Sequence, residues 1–370
     1  MSPDRFGLVG TTIGGRYAVE AVVGEGGFSI VYRARHTLWD RRVAIKAIRG
    51  LEVLETDARE KLLRAFLQEG AMLAELSERT TAIVQARDAA TLFTRDGDWV
   101  PYLVLEWLEG ETLEALLWEE RQCGLPPRSL DQTVRLLDPI AEALALAHAK
   151  GICHRDLKPG NVVLLGDSRR ELCTIKLLDF GVASFFGDAR CAVAGRSSEA
   201  CGFTPSYGAP EQFSDAYGVT GPWTDVFALA LLVVELLTGR EPLGDGKTQD
   251  LARAAVDRTR RPTPRALGAH VPRRVEAVLT RALAVYPAER WQTAGSFWGA
   301  LREAMHTPVA LPVSRASQKP TAAASAASSV RIAPAAAVVL AGLLAASAAS
   351  DHHVDRGHDA PVEVRSALAR

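Results

Sequence analysis

The sequence predicts an α+β enzyme with two lobes and a low-complexity C-terminal tail. Residues 17 to about 48 read as strands interrupted by a glycine-rich turn. From about residue 57 the apolar residues recur at helical spacing, and beyond an apolar strand at 102–107 the chain is mainly helical. A sheet-rich first part and a helix-rich second part predict a small β-rich N-terminal lobe and a larger helical C-terminal lobe, for which 370 residues suffice.

The composition and the charge of the chain exclude several classes of protein. Hydrophobic residues make up 48% of the chain and charged residues 24%, which is ordinary for a globular protein. The formal net charge of -1 creates no overall field that would attract nucleic acid, so no nucleic-acid partner is expected. The five cysteines form no CxxC pair and the N-terminus carries no signal-peptide pattern, which indicates reduced thiols in a cytosolic domain.

The glycine-rich turn lies between two predicted strands, at residues 17–23 and 30–34. Gly24, Gly26 and Gly27 have no Cβ, so their backbone can approach a phosphate closely. A Gly-x-Gly pattern alone is more often an ordinary turn, so its function depends on what the rest of the chain supplies.

Lys46 follows the apolar residues of a third predicted strand, at 43–48, and Glu69 is its expected partner. Glu69 lies on the apolar stripe of the next predicted helix, together with Leu62, Phe66, Leu73 and Leu76. A carboxylate that faces the core is costly unless it is paired, and Lys46 is the obvious cation. Two alternatives stay open: Lys46 can face solvent from an edge strand, and Glu69 can be solvated at the margin of the stripe.

Two helices dominate the predicted C-terminal lobe. One is marked by apolar residues at helical spacing from residue 134 to residue 148 and ends at Gly151. The other, residues 223–237, is apolar on nearly every face, so we expect it to be buried inside the lobe and to end at Gly239.

Residues 154–161, with the sequence HRDLKPGN, bring together three groups suited to phosphoryl transfer. Asp156 supplies a carboxylate that can orient a hydroxyl, Lys158 an ammonium that can neutralise a phosphate, and Asn161 an amide that can ligate a metal ion. Catalysis of phosphoryl transfer is mostly positioning plus charge stabilisation, so this segment predicts a site of that kind.

Further motifs stand in order around this segment: GEGGFSIV at residues 24–31, VAIK at 43–46, DFG at 179–181 and APE at 209–211. Together the motifs resemble those of the eukaryotic-like (Hanks-type) bacterial serine/threonine protein kinases, over roughly residues 17–303. The resemblance implies the bilobal protein kinase fold, with the N-lobe at about residues 17–105 and the C-lobe at about 109–303.

The resemblance also implies the roles of the polar residues. Asp156 is expected to accept the proton of the substrate hydroxyl, Lys158 to neutralise the transferred γ-phosphoryl group, and Lys46 to hold the α- and β-phosphates of ATP. Asn161 and Asp179 are expected to hold Mg²⁺, with Mn²⁺ as an alternative, because magnesium prefers few protein carboxylates plus phosphate oxygens.

The nucleotide is expected to contact the glycine-rich turn, the strand of Lys46 and the hinge between the lobes. The implied residues are Gly24, Glu25, Gly26, Gly27, Phe28, Ser29, Val31, Ala44, Lys46, Glu69, Glu106, Leu108 and Val163. Ser29 stands where the family usually has a third glycine, and Leu105 is the expected gatekeeper of the adenine pocket.

Other residues are expected to have structural roles. By resemblance, His154 and Phe180 pack in an internal apolar column. Asp225, at the start of the buried helix, is expected to cap that helix or to hold the backbone near His154. Glu211 is expected to form an ion pair with Arg290.

The sequence thus predicts an active serine/threonine protein kinase of signal transduction, with ATP and proteins as substrates. The alternative of a pseudokinase or scaffold module would be expected if Lys46, Asp156, Asn161 or Asp179 were replaced, and none is. A small-molecule kinase is disfavoured because residues 202–213 resemble a peptide-positioning loop.

Control of the activity is predicted to involve autophosphorylation. Arg155 precedes Asp156 and can pair with a phosphate on the activation segment, and Ser197 or Ser198 is the expected acceptor. The alternative is that Arg155 pairs with an acidic residue such as Glu199 and needs no phosphate.

The two ends of the chain differ from the kinase-like part. A polar lead-in occupies residues 1–16, an Ala/Ser/Pro-rich linker residues 304–331, and a short polar tail residues 351–370. Residues 332–350 carry no charge, with basic residues before them and acidic residues after them. They predict one transmembrane helix that anchors a cytoplasmic kinase domain to the cell membrane, and an Ala-rich disordered tail is the alternative.

Overall fold

The computed structural model describes residues 4–26, 29–49, 56–166, 173–180 and 203–306. Within the helix Thr56–Arg79, the side chains of residues 56–58, 61, 62, 65 and 69 are not described. Of the described part, no helix is long and apolar enough to cross a membrane, and the predicted span at residues 332–350 lies outside it.

The N-terminal lobe is an antiparallel sheet with one long helix. In chain order it contains β1 (Thr12–Ile13), β2 (Tyr17–Glu25), β3 (Ser29–His36), β4 (Arg41–Ile48), α1 (Thr56–Arg79), β5 (Ala86–Phe93) and β6 (Trp99–Glu106). The described strands are ordered β1-β2-β3-β4-β6-β5. Because β4 pairs with both β3 and β6, Lys46 lies on a central strand, which excludes the alternative of an edge-strand lysine.

Residues before β2 form part of the core of this lobe. Phe6 and Leu8 are buried against the sheet in the same apolar cluster as Ile13. The Tyr32 hydroxyl donates to Asp4 Oδ1 at 2.9 Å, which ties the beginning of the described chain to β3. These contacts were not predicted, because residues 1–16 are polar in overall composition.

The C-terminal lobe is helical with one small sheet. The sheet contains β7 (Gly110–Thr112), β8 (Val162–Leu165) and β9 (Thr174–Leu177), and the helices are α2 (Leu113–Gln122), α3 (Leu130–Ala149), α4 (Pro210–Phe213), α5 (Pro222–Thr238), α6 (Thr248–Val256), α7 (Arg273–Ala282) and α8 (Ala294–His306). Three-residue 3₁₀ turns at Pro159–Asn161 and Pro205–Tyr207 belong to the same lobe.

The buried helix that the sequence predicts is α5. Every residue from 224 to 237 is buried, and Gly239 follows in the left-handed conformation, with φ 67°, at the C-terminal cap. The other predicted helix is α3, which begins with a capping box formed by Ser129 and Gln132 and is followed by Gly151 at φ 74°. Both predictions are confirmed, and residues of these two helices support the site that is described below.

Candidate active site

Asp225, the first buried acid of α5, holds the backbone of the segment 154–161. Its Oδ2 accepts the His154 N–H and its Oδ1 accepts the Arg155 N–H, both at 2.7 Å. His148, in the last turn of α3, contacts the same carboxylate through Nε2 at 2.9 Å. Burial alone would raise the pKa of Asp225, but the hydrogen bonds from His148 and His154 hold it below its ordinary value. The predicted role of Asp225 is confirmed.

The backbone that Asp225 holds is unusual at Arg155. This residue has φ 62°, in the left-handed region that residues with a Cβ rarely occupy. The Arg155 carbonyl accepts a hydrogen bond from Gln212 Nε2 at 2.7 Å. The reversal at Arg155 is therefore fixed from two sides, and Asp156 follows it directly.

Asp156 stands at the centre of a set of polar contacts. Its Oδ1 accepts the Thr204 N–H at 2.9 Å, and its Oδ2 lies 2.8 Å from Lys158 Nζ. Asn161 Nδ2 donates to the Asp156 carbonyl at 2.8 Å. Lys158 Nζ also donates to the Thr204 hydroxyl at 2.5 Å. The structure thus brings the carboxylate, the ammonium and the amide together, with Thr204 from a distant part of the chain.

Asp179 follows β9 and is joined to Lys46. It has φ 56°, and its Oδ1 lies 2.6 Å from Lys46 Nζ, whose side chain is 3% exposed. Burial by itself would raise the pKa of Asp179, and the charge of Lys46 more than offsets this and lowers it. The side chain of Glu69, the predicted partner of Lys46, lies outside the described residues, so that pairing stays a prediction.

His154 links the segment of Asp156 to the strand that leads to Asp179. Its Nδ1 accepts the Asp156 N–H at 3.3 Å, so Nε2 is the nitrogen that donates to the Leu178 carbonyl, at 2.7 Å. Its ring packs on Phe180 with the ring centroids 5.0 Å apart, and Phe180 lies in the same core cluster as Leu73. With both nitrogens engaged, His154 is a structural residue, as predicted.

The predicted glycine-rich turn joins β2 to β3. The Gly26 N–H donates to the Ser29 carbonyl at 2.9 Å, while Gly27 and Phe28 lie outside the described residues. Arg49 contacts the first residues of this turn. Its Nη1 lies 2.6 Å from Glu25 Oε1, and its Nη2 donates to the Gly26 carbonyl. No sequence pattern indicates this contact, because Arg49 comes only after β4.

Most of the residues that are predicted to enclose the adenine lie on β3, β4 and β6. Val31 is opposite Lys46 in the register of β3 and β4, and Ala44 is opposite Leu105 in that of β4 and β6. Val163, on β8, is 7% exposed, as is Leu105.

The predicted hinge begins at Glu106, the last residue of β6, and Leu108, two residues further on, is half-buried. The Glu106 side chain accepts the Gln85 N–H at 2.8 Å and lies 2.5 Å from Lys176 Nζ on β9. Lys176 was not among the predicted residues, because a lysine on a short strand carries no distinctive sequence pattern.

Asn161 and Asp179 fit a magnesium site in which the protein supplies some of the ligands and the phosphates of a nucleotide supply others. The Leu178 N–H donates to the Asn161 carbonyl at 2.8 Å, which places Asp179 beside Asn161. Asn161 Nδ2 is engaged with Asp156, so Oδ1 is its atom that can ligate a cation. The described residues contain no cluster of three or more His, Cys, Asp or Glu that could hold a metal ion alone. Phosphate oxygens would therefore complete the coordination.

Glu211 and Arg290 form a buried bidentate ion pair in the C-terminal lobe. Both distances, from Nη1 to Oε1 and from Nη2 to Oε2, are 2.8 Å, and both side chains are 0% exposed. The Thr224 hydroxyl donates to Glu211 at 2.7 Å, and Arg290 also donates to the carbonyls of Ala284 and Val285. The predicted pair is confirmed, and it fixes α4 against the beginning of α5.

Comparison with known proteins gives consistent matches. The family model described as protein kinase domain matches residues 17–308. The serine/threonine-protein kinase PknL of Mycobacterium bovis is 35% identical over 306 residues, which are 80% of this chain and 67% of that protein. The probable serine/threonine-protein kinase CPE1738 of Clostridium perfringens is 29% identical over 81% of this chain, but the match covers only 40% of that protein. The chain thus spans between two fifths and two thirds of the length of these relatives.

Solved structures share the fold. The PknI kinase domain of Mycobacterium tuberculosis superposes with a TM-score of 0.56 at 24% identity, covering 80% of this chain and 98% of that one. The apo form of PpkA-294 also gives 0.56 at 24% identity, covering 79% and 98%. The predicted α+β fold with a β-rich N-lobe and a helical C-lobe is confirmed.

Proposed function

Since this chain belongs to the protein kinase family, we propose that it is an active serine/threonine kinase that transfers the γ-phosphate of ATP to hydroxyl groups of proteins. The observation that carries the proposal is the set of contacts around Asp156. The carboxylate is oriented by the Thr204 N–H and accompanied by Lys158 and Asn161. A pseudokinase module would not need this arrangement.

Proton acceptance is the role proposed for Asp156. A serine or threonine hydroxyl of the substrate would donate a hydrogen bond to its carboxylate, which would take the proton as the oxygen attacks the γ-phosphorus of ATP. The bond between the γ-phosphorus and the bridging oxygen would break, and ADP would leave. Lys158, 2.8 Å from Asp156, would stabilise the charge on the transferred phosphoryl group. The contact between Lys158 and the Thr204 hydroxyl would keep that ammonium beside the attacking oxygen.

Phosphate binding is the role proposed for Lys46 and the glycine-rich turn. Lys46 would exchange the carboxylate of Asp179 for the α- and β-phosphates of ATP. Asn161 and Asp179 would hold Mg²⁺, or Mn²⁺ in its place, and a bound cation of this kind supplies neutralisation of the charge on the phosphates. Glu106, Leu108, Ala44, Val31 and Val163 would enclose the adenine, as the family resemblance implies.

The proposal is tested by incubating the purified chain with Mg-ATP labelled in the γ-phosphate and with peptides that contain serine or threonine. Label should appear in the peptides and in the chain itself, and phosphoamino-acid analysis should find phosphoserine or phosphothreonine. The Asp156→Asn variant, which keeps the shape of the side chain, should bind ATP with nearly unchanged affinity and transfer no phosphate. Binding of ATP without transfer by the unaltered chain would instead favour the pseudokinase function.

Anchoring to a membrane is a further part of the proposal. The uncharged stretch at residues 332–350, preceded by Arg315, Lys319 and Arg331, supports one membrane-spanning helix with the kinase domain on the cytoplasmic side. Protein substrates reached by this chain would then lie close to the inner face of the membrane.

A further inference from the structure

The turn that joins β3 to β4 holds two large apolar side chains in solvent. Leu38 is 82% exposed and Trp39 is 67% exposed. Apolar residues that stand singly on a protein surface are normal, but these two are adjacent and occupy the same turn. We refer to residues 37–41, which include both of them, as the hairpin tip.

The hairpin tip is fixed by hydrogen bonds at its base. His36 Nδ1 accepts the N–H groups of both Leu38 and Trp39, each at 3.3 Å. The Thr37 N–H donates to the Arg16 carbonyl, in the turn before β2, at 2.8 Å. The tip is therefore ordered before it meets any partner, and binding there would cost little conformational entropy.

The fold itself does not require apolar side chains at this position. The hydrogen bonds that close the turn come from backbone N–H groups, so polar residues would close it equally well. Trp39 stacks one face of its indole on the His36 ring, with the centroids 4.5 Å apart and the planes at 10°. That contact accounts for one face of Trp39, leaves its other face in solvent and gives Leu38 no structural role.

Arginines border the hairpin tip. Arg35 and Arg42 form exposed ion pairs, with Asp40 at 2.9 Å and with Glu109 at 2.8 Å. Exposed pairs of this kind are weak, so these guanidinium groups can exchange their partners for other anions. Arg41 is exposed and forms no ion pair with any residue that the structure describes. The tip thus combines two exposed apolar groups with a free positive charge.

A membrane surface fits these features better than a protein partner does. A stable protein interface buries about 800 Å² on each side around a desolvated core, and two apolar side chains on one short turn offer far less. The headgroup region of a bilayer accepts such a tip without a shaped pocket. Tryptophan favours that region, leucine enters the edge of the acyl chains, and arginine pairs with lipid phosphates.

We infer that the hairpin tip inserts into the surface of a membrane that contains anionic phospholipids. Leu38 and Trp39 lie at the boundary between headgroups and acyl chains in that bound state, and Arg41 lies on the phosphates. Two side chains bind a bilayer only weakly by themselves. The proposed anchor at residues 332–350 would raise the local concentration of lipid around the tip and so strengthen its binding. The inference goes beyond the proposed kinase activity and does not depend on it.

The test is quenching of tryptophan fluorescence by lipids that carry bromine on their acyl chains. The chain of 370 residues is mixed with vesicles of phosphatidylcholine and phosphatidylglycerol, about 2 to 1, with and without bromine. The chain has seven tryptophans, the last of which is Trp298, so residues 332–350 contribute no signal of their own. Trp39→Phe identifies the contribution of Trp39. Trp118→Phe is the matched control, because Trp118, on α2, is also exposed, at 64%.

We expect brominated vesicles to quench the unaltered chain and Trp118→Phe, and the quenching to be lost in Trp39→Phe. At saturating lipid, the quenched fraction gives the ratio of inserted to free tips. Leu38→Ser should lower this ratio about 10-fold, and Arg41→Gln about fivefold. Phe93→Ser removes a singly exposed apolar residue at the end of β5 and should change the ratio less than about twofold. Vesicles of phosphatidylcholine alone should quench more weakly.

The substitutions lie on exposed residues, so circular dichroism should show an unchanged fold in every variant. Equal quenching of the unaltered chain and Trp39→Phe, or quenching of neither, would overturn the inference and leave a protein partner as the better occupant of the tip. Equal loss in Trp39→Phe and Trp118→Phe would also overturn it, because that result indicates adsorption without a preferred surface.

The inference and the earlier proposals fail separately. If the chain sediments with the vesicles but Trp39 is not quenched, the anchor at residues 332–350 stands and the inference falls. If Trp39 is quenched but the chain phosphorylates no peptide, the inference stands and the proposed kinase activity falls.

Discussion

Lys46 Nζ lies 2.6 Å from Asp179 Oδ1, so the expected phosphate-binding lysine and an expected metal ligand neutralise each other. The ammonium is almost completely buried, and an unpaired charge there would be costly. ATP with its metal ion would supply a new partner to each group at the same time: phosphate oxygens to Lys46 and the cation to Asp179. Neither charge would then be left unpaired in either state.

Lys46→Met should reduce phosphoryl transfer by about 10²-fold or more, because it removes a charge that stabilises the phosphates. Lys150→Met is the matched control: Lys150 also pairs with a carboxylate, Glu75 at 2.7 Å, but away from the site, and its loss should change the rate less than twofold. Initial rates with a peptide substrate check both, and circular dichroism shows that the fold is kept. Near-normal turnover of Lys46→Met would refute the role of Lys46.

The local part of the site could be predicted from the sequence because its residues are close along the chain. Asp156, Lys158 and Asn161 lie within six positions, and the contacts among them follow from one loop. The buried helix α5 was also predictable, since its apolar composition requires burial on every face.

The contacts that the sequence did not predict join residues far apart. Tyr207 and Arg121 both contact Glu235 although the three residues lie on three different elements, and each of these residues alone is ordinary for a loop or a helix. Arg49 reaches the glycine-rich turn from beyond β4 for the same reason. Such pairs depend on the tertiary arrangement, which no local pattern of apolar residues records.

Arg290→Met should lower the free energy of unfolding by about 3–5 kcal/mol, because it leaves Glu211 buried without its cation. Arg253→Ala is the control: it breaks an exposed ion pair with Asp250, at 3.2 Å, and should cost about 0.5 kcal/mol or less. Urea titration of the two variants and the unaltered chain measures the difference. Equal midpoints for both variants would contradict the structural role assigned to the buried pair.

Replacing both Ser197 and Ser198 by alanine should lower activity toward an added substrate, because we expect a phosphate on one of them to pair with Arg155 and order the activation segment. Both serines lie outside the described residues. Phosphatase treatment of the unaltered chain should have the same effect as the double substitution. If neither treatment changes the activity, Arg155 needs no phosphate, and an acidic partner such as Glu199 becomes the better hypothesis.

The chain of 370 residues should fractionate with membranes, and a truncation before Ile332 should be soluble without detergent, if residues 332–350 form the proposed anchor. Kinase activity of the truncated chain should be unchanged, since the family match ends at residue 308. If the chain with residues 332–350 stays in solution after ultracentrifugation, that result would support the Ala-rich tail instead, with no consequence for the proposed kinase activity.

Asp225→Asn should destabilise the chain in a way that depends on pH, because the pKa of Asp225 is held below its ordinary value of 3.8. A carboxyl group whose pKa is lower in the folded state favours folding fully while it is ionised in both states and not at all once it is protonated in both. Its contribution is therefore complete above about pH 5 and is lost as the pH falls below 4 through the folded-state pKa. The asparagine cannot ionise, so the difference in free energy of unfolding between the two proteins should be constant near neutrality and shrink in acid. Urea unfolding at a series of pH values measures this difference. A gap that stays the same down to about pH 3 would show that Asp225 acts through the shape of its hydrogen bonds to His154 and Arg155, and not through its charge.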